Sequence, residues 1–374
     1  MTPPSPIRVL QNVQVLRAIA ALMVVGAHLG GPTGFENKNL GGYDFLHGFH
    51  QVGATGVDLF FIISGFIMVM TTSRVTHGVG GARQFIWRRI TRIYPPYLVI
   101  TGAIFAVYLV KPDLVNSSQE TPPDILASFL LLPQAGLPLL LVGWTLVFEM
   151  YFYVIFALSL LVPKGAMPYI LAGWAVATAA LGFVASDNPF VVLAQSPLNF
   201  EFLFGAIVGA LAVRRRMPLP SVVAVVGVVA ALVVAVLLWN GTIDIEDSFV
   251  RVVTAGIACG LIVYGLVGLE QAGRFVAPSG LARFGDYSYS LYLTHVLTLA
   301  VLGVVVRAIL PINPATHILG LLLAVAACTG VGIAYYYAVE RPLVRLFHRR
   351  PVAPEPPVAP PVAAPVAPPA PVES

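Results

Sequence analysis

Ten apolar runs, each close to the length of a bilayer's hydrocarbon core, leave this chain few ways to fold. They fall at about 12–30, 54–72, 92–110, 141–162, 168–186, 198–213, 221–239, 248–268, 287–309 and 315–338. Roughly 20 helical residues rise about 30 Å, enough to cross the hydrocarbon layer. Within lipid, backbone N–H and C=O groups find partners only inside a helix or a closed barrel. The runs lack the ten-residue alternation of barrel strands, so helices are expected. The sixth run, Leu198 to Val213, is short and is expected to tilt little or to begin earlier. Composition supports this reading: 58% of the 374 residues are hydrophobic and 10% charged. Soluble domains carry roughly 25% charged residues, and a soluble core of this length could not hide so much apolar surface. The expected fold class is all-α, a polytopic membrane protein of about ten transmembrane helices.

Charge then sets the orientation. If the N-terminus is cytoplasmic, sixteen of the 21 basic residues fall on the cytoplasmic side, Arg8, Arg74, Arg83 and Arg214-Arg215-Arg216 among them. The other side keeps Lys38, Lys111, Arg251 and Arg307, and Arg17 lies inside a run. This is the bias of the positive-inside rule, so both termini are expected in the cytoplasm of a bacterial inner-membrane protein. The net charge of +4 is accordingly a topology signal, with no nucleic-acid partner implied. Residues 1–11 form a cytoplasmic segment and 12–347 the membrane domain. Residues 348–374, nearly all Pro, Ala and Val from Pro351 to Ser374, form a disordered, polyproline-like tail. Arg8 before an apolar stretch ending Val25-Gly26-Ala27 loosely resembles a signal peptide. Arg17 abutting that stretch and nine further runs favour an uncleaved first helix. No internal repeat supports an inverted-repeat transporter. Cys259 and Cys328 lie within apolar runs, so neither a disulfide nor a metal site is expected.

The first run carries Arg17 and His28, eleven positions apart. Eleven helical steps bring both to one face, with a rise of roughly 16 Å. An arginine within a span needs protein or water to receive it. The snorkelling alternative makes Arg17 an interfacial anchor and His28 a boundary residue. In the second run Asp58 stands near the outer end, either capping the helix or facing a site, and Ser64-Gly65 near the middle admits close approach of another backbone. Phe60 and Phe61 read as packing residues. Arg88, Arg89 and Arg92 cluster ahead of Pro95-Pro96, which reads as a break. They either anchor topology or receive phosphate oxygens. Glu149 is costly to bury charged unless a cation or donors meet it, and Tyr153 shares its face at i+4. A structural clamp between helices is the alternative role. Ser288 and Tyr292 lie on one face with His295, which serves either packing or a site. Glu340-Arg341 reads as a boundary ion pair ending the helix before Pro342.

Taken in order, Leu16-Arg17-Ala18-Ile19-Ala20…His28, Gly56-Val57-Asp58-Leu59-Phe60-Phe61-Ile62-Ile63-Ser64-Gly65-Phe66, Arg88-Arg89-Ile90-Thr91-Arg92-Ile93-Tyr94-Pro95, Trp144-Thr145-Leu146-Val147-Phe148-Glu149-Met150-Tyr151-Phe152-Tyr153, Ser288-Tyr289-Ser290-Leu291-Tyr292-Leu293-Thr294-His295 and Glu340-Arg341-Pro342 resemble the membrane-bound acyltransferase-3 family. Its familiar members are exopolysaccharide-type and O-antigen-type O-acyltransferases. Each motif alone is weak, whereas six in order over about residues 8–347 are specific. The resemblance implies transfer of an acyl group, with acetyl the expected case, from acyl-coenzyme A to a hydroxyl of a carbohydrate or glycolipid. It maps the family's basic residue and histidine onto Arg17 and His28, its arginine motif onto Arg88, Arg89 and Arg92, and its glutamate onto Glu149. The hydrolase-like domain of some members is missing, so acyl handover to one is not expected in this polypeptide.

Acyl transfer to an alcohol needs a base, oxyanion donors and a held acyl donor. Histidine titrates near neutral pH, which suits His28 as general base, with Glu149 orienting or charging it. A transient acyl-His28 is the covalent variant. Arg17 would steady the thioester or its oxyanion, and Arg88, Arg89 and Arg92 the coenzyme A phosphates. Asp58, Ser64, Tyr153, Ser288, Tyr292 and His295 are candidate lining residues. Two rival classes stay open: a proton-coupled transporter or exporter using the same Arg, His and Glu, and an inactive envelope scaffold.

Overall fold

The computed structural model describes residues 10–348, apart from positions 42, 74, 76, 116–120, 310 and 312. The two chain ends, with Arg8 and the Pro- and Ala-rich tail, lie outside the described residues, as does Arg74. Every regular element among the described residues is helical. In chain order the principal helices are α1 (Gln11–Leu29), α2 (Phe49–Thr72), α3 (Val79–Val110), α4 (Gly143–Leu161), α5 (Met167–Leu181), α6 (Pro189–Gln195), α7 (Asn199–Val213), α8 (Pro220–Trp239), α9 (Ser248–Gln271), α10 (Ser288–Ile309) and α11 (Pro314–Tyr335).

Among the described residues, eight helices are long and apolar enough to cross a membrane. The remaining two apolar runs take other forms. Run 168–186 is α5, fifteen residues and only about 22 Å long at 1.5 Å per residue. Run 198–213 is α7, which does begin earlier, through α6 and a 43° bend. Large apolar side chains cover the outside: Val222, Val225, Val229, Leu232, Val233 and Val236 of α8 are all exposed. Such a surface is soluble only in lipid, and the chain is a multi-pass membrane protein.

The helix α2 runs through the middle of the bundle, packed on α1 and α7. Its crossing with α7 needs glycine on both sides. A Cβ on Gly65 would collide with the Phe202 carbonyl, and one on Gly205 with the Ile62 carbonyl. This is the small-residue contact expected at Ser64-Gly65, and it brings two backbones together where lipid offers no hydrophobic drive. Beside the crossing, Phe61 and Phe152 each stack on Phe202 at ring-centroid distances of 4.5 Å. Aromatic pairs contribute about 0.5–1.5 kcal/mol each beyond burial, so this ladder fixes α2, α4 and α7 around one point.

Four local expectations are corrected. Pro95-Pro96 makes no break: α3 runs continuously through both. Neighbouring helices hold that stretch, Tyr289 donating to the Ile93 carbonyl at 2.9 Å and Tyr335 to the Pro96 carbonyl at 2.5 Å. Pro342 does not end its helix either. A π-type turn, Tyr336–Glu340, restarts the hydrogen-bond pattern, so Pro342 falls in the first turn of a further helix, Arg341–His348. Glu340 and Arg341 do not pair, because adjacent helical residues point apart. Glu340 is buried and accepts from Ser290 Oγ at 2.5 Å, while Arg341 lies over the Tyr337 ring at 5.6 Å. Asp58 caps nothing, since α2 starts nine residues earlier at Phe49.

Candidate active site

The inner faces of α1, α2, α3, α4 and α10 line a partly open cavity whose empty space, including the part open to solvent, is about 780 Å³. Arg17 comes from α1, Phe60 and Ser64 from α2, Arg89 and Arg92 from α3, Thr145, Glu149 and Tyr153 from α4, and Ser288, Tyr289 and Tyr292 from α10. Three guanidiniums therefore face a single carboxylate.

Each charge is held by a local device. Tyr153 donates to Glu149 Oε1 from the next turn of α4, and Ser64 Oγ lies 3.1 Å from the same oxygen. Arg17 Nη1 donates to Gln14 Oε1 at 2.9 Å, one turn back on α1. Gln14 Nε2 in turn donates to Asp286 Oδ1 at 2.5 Å, and Asp286 is exposed. A buried amide thus relays orientation from a surface carboxylate to an internal guanidinium. Arg89 Nη2 donates to Thr71 Oγ1 at 2.9 Å, and the guanidinium lies 5.4 and 5.7 Å from the Phe85 and Tyr153 ring centroids. Its buried Nε has no acceptor among the described residues. A buried donor in that condition is costly, and an anionic ligand would satisfy it.

Arg88 points elsewhere. It is exposed and lines a smaller recess of about 260 Å³ with Thr71, Thr72, Gln84 and Arg89. Arg89 is common to both spaces. The arginine motif therefore forms a basic wall leading from the exposed recess into the cavity.

The histidines sit apart from this cavity, at its Tyr292 side. His28 Nδ1 lies 2.9 Å from the Val24 carbonyl oxygen, and His295 Nε2 lies 3.4 Å from His28 Nδ1. The two rings meet edge to face, 4.8 Å between centroids at 74°. Tyr292 stands between: its ring lies 5.9 Å from Phe60 on one side and 5.9 Å from His295 on the other. Its hydroxyl donates to the Val142 carbonyl at 2.7 Å and lies 2.5 Å from Thr145 Oγ1. The carboxylate expected to orient His28 is thus engaged with Ser64 and Tyr153, and a second imidazole stands against His28 instead.

Asp58 also lies off the cavity. Arg251 of α9 grips it with two hydrogen bonds, Nε to Oδ1 at 2.8 Å and Nη2 to Oδ2 at 2.9 Å. Buried Glu201 of α7 adjoins the pair. Sequence reasoning placed Arg251 on the outer side, yet it is buried, as is Glu36. Glu36 Oε1 meets His317 Nε2 at 2.5 Å, and its carboxylate accepts from the Phe45 and Leu46 N–H groups. The relay residue Gln14 was legible as the i−3 neighbour of Arg17. Tyr289 and Thr145 were visible only as members of motifs. Cys259 and Cys328 are buried free thiols. No group of three metal-ligating side chains occurs among the described residues.

Comparison with known proteins gives the class of this membrane bundle. The acyltransferase domain family matches residues 10–337, so the chain belongs to the acyltransferase-3 family and is an acyltransferase acting on groups other than aminoacyl groups. It is also 34% identical, over 304 residues, to the exopolysaccharide production protein ExoZ of Rhizobium meliloti (strain 1021), covering 79% of this chain and 90% of that protein. No solved structure matches it. Family membership sets aside the transporter and scaffold readings.

Proposed function

We propose that this chain is an O-acyltransferase of a bacterial inner membrane. It moves an acyl group, acetyl in the first instance, from acyl-coenzyme A to a hydroxyl of an exported carbohydrate or its lipid-linked precursor. The carbohydrate follows from the similarity to ExoZ, whose name ties that relative to exopolysaccharide production. The membrane domain is residues 12–347, with ten spans if α5 and the bent α6–α7 pair each cross once, and with both termini cytoplasmic.

One observation carries the reading: the basic wall Arg88, Arg89, Arg92 leads to Arg17 and stops short of the His28 imidazole. Arg88, Arg89 and Arg92 bind the phosphates of the donor, which enters from the cytoplasm, and the acyl arm follows the cavity toward Tyr292. His28 Nε2 takes the proton of the attacking hydroxyl as its oxygen bonds to the thioester carbonyl carbon. Arg17, whose guanidinium turns back along α1 to Gln14, holds the donor where it passes along the cavity. When the intermediate collapses, the C–S bond breaks, the thiolate leaves with the electron pair, and the His28 imidazolium returns the proton to it. The products are an ester and free coenzyme A.

The test is the purified full chain in lipid nanodiscs, with acetyl-coenzyme A as donor and polysaccharide from a strain lacking the gene as acceptor. Wild type should release thiol and form ester in equal amounts. His28→Ala should lose about 10²–10⁴-fold, the usual contribution of a general base. Undiminished transfer by folded His28→Ala protein would remove His28 from this role, and absence of thioester cleavage by wild type would remove the donor.

A further inference from the structure

Resting on the reading of His28 as the base, we infer that His295 is its positioning residue, doing for this imidazole what a buried carboxylate does for histidine in a hydrolase triad. The argument starts from carbonyl oxygens, which can only accept. His28 Nδ1 lies 2.9 Å from the Val24 oxygen, so Nδ1 carries a hydrogen. That leaves the lone pair on His28 Nε2, the nitrogen a general base needs free.

The same logic fixes His295. Its Nδ1 lies 2.7 Å from the Tyr292 oxygen and 3.3 Å from that of Leu291, so it too is protonated on Nδ1. The lone pair of His295 is then on Nε2, and Nε2 is the atom that faces His28 Nδ1 at 3.4 Å. His28 N–H is shared between the Val24 carbonyl and the His295 lone pair. Both acceptors select the Nδ1–H tautomer and hold the ring plane.

Burial makes this arrangement matter. His295 is fully buried, so no water can replace it as acceptor. When His28 gains a proton on Nε2, its Nδ1–H becomes a stronger donor and the 3.4 Å contact has room to tighten. A neutral imidazole can do this where a carboxylate would be costly to bury. Two neutral rings can also meet edge to face without the repulsion of two imidazoliums. The covalent link is short: Tyr292, which lines the cavity, and His295 are neighbours on one face of α10, so the element that walls the acyl site also orients the base.

The experiment has two arms, both on the full chain in nanodiscs. The first measures kcat and KM with acetyl-coenzyme A and deletion-strain polysaccharide. His295→Ala should lower kcat about 10²-fold with KM unchanged, less than or equal to the loss at His28 itself. His295→Gln, whose amide oxygen reaches the place of Nε2 and can accept there, should recover most of that loss. The second arm needs no substrate: ¹⁵N spectra of histidine-labelled protein should show His28 as the Nδ1–H tautomer throughout, since the Val24 carbonyl remains, with its Nδ1 signal shifted in His295→Ala and returned toward wild type in His295→Gln. If His28→Ala is inactive while His295→Ala keeps wild-type kcat and an unshifted His28 Nδ1 signal, the positioning role is overturned and the base stands. If His28→Ala is active, the base itself falls. A His295→Gln variant that folds yet recovers nothing over His295→Ala also overturns the proposal.

Discussion

Asp58 of α2 and Arg251 of α9 face each other in a two-point ion pair, 2.8 and 2.9 Å, at a depth where Asp58 is wholly buried. Removing Arg251 strands Asp58, with Glu201 beside it, away from water and without a cation. Such losses cost about 3–5 kcal/mol, whereas an apolar replacement of both partners is often neutral. Arg251→Met should therefore destabilise the protein strongly, and adding Asp58→Leu should regain part of the loss. Thermal unfolding midpoints in detergent check this. A midpoint for Arg251→Met equal to wild type would show the pair to be energetically idle.

The Tyr153 hydroxyl and Ser64 Oγ are the two donors on Glu149 Oε1. Tyr153→Phe keeps the ring beneath Arg89 and deletes only the hydroxyl. Leaving a buried acceptor with one donor fewer costs about 1–3 kcal/mol. Tyr153→Phe should thus lower the thermal unfolding midpoint by a few degrees. An unaltered midpoint would mean that the hydroxyl adds nothing to the hold on Glu149.

Gln14 is the sole buried link between Arg17 and Asp286 among the hydrogen bonds that reach Arg17 from the described residues. Gln14→Leu preserves volume and cuts the relay. With its guanidinium free to turn, Arg17 should hold the donor less well, so KM for the donor should rise about tenfold while kcat stays constant. Asp286→Asn, which retains an acceptor for Gln14, should be nearly silent. A loss confined to kcat in Gln14→Leu would assign Arg17 to the chemical step instead.

How much of this was readable in the chain differs by element. Arg17, Arg92 and Glu149 were found because an intramembrane charge is conspicuous against apolar neighbours. Tyr153 followed from helical spacing, and Gly65 from the need for close backbone approach. What stayed hidden depends on long-range pairing. Nothing near Asp58 in sequence announces Arg251, 193 residues later, and Arg251 itself looks like a loop charge beside Asp247. The Pro95-Pro96 and Pro342 readings failed for a related reason. Local rules make proline a helix breaker, but Tyr289, Tyr335 and the Tyr336–Glu340 turn supply the remedy from other places. His28 and Glu149 each stand out in the sequence as intramembrane ionisable groups, but their pairing does not occur, and α10 brings His295 against His28 instead.

The arginine wall makes a prediction that separates binding from chemistry. Arg89 and Arg92 line the cavity, and Arg88 lines only the recess beside it. If all three bind the phosphates of coenzyme A, replacing any one with Gln should raise KM for acetyl-coenzyme A. Each phosphate contact is charge-assisted, so about tenfold is expected for Arg89→Gln and Arg92→Gln, and less for solvent-screened Arg88→Gln. A donor without phosphates, such as S-acetyl-N-acetylcysteamine, should be used poorly but equally by wild type and all three variants. Added salt should weaken the acetyl-coenzyme A reaction and leave the short thioester untouched. Were Arg92→Gln instead to lower turnover of both donors alike, Arg92 would act at the reacting carbonyl, and phosphate recognition would rest on Arg88 and Arg89.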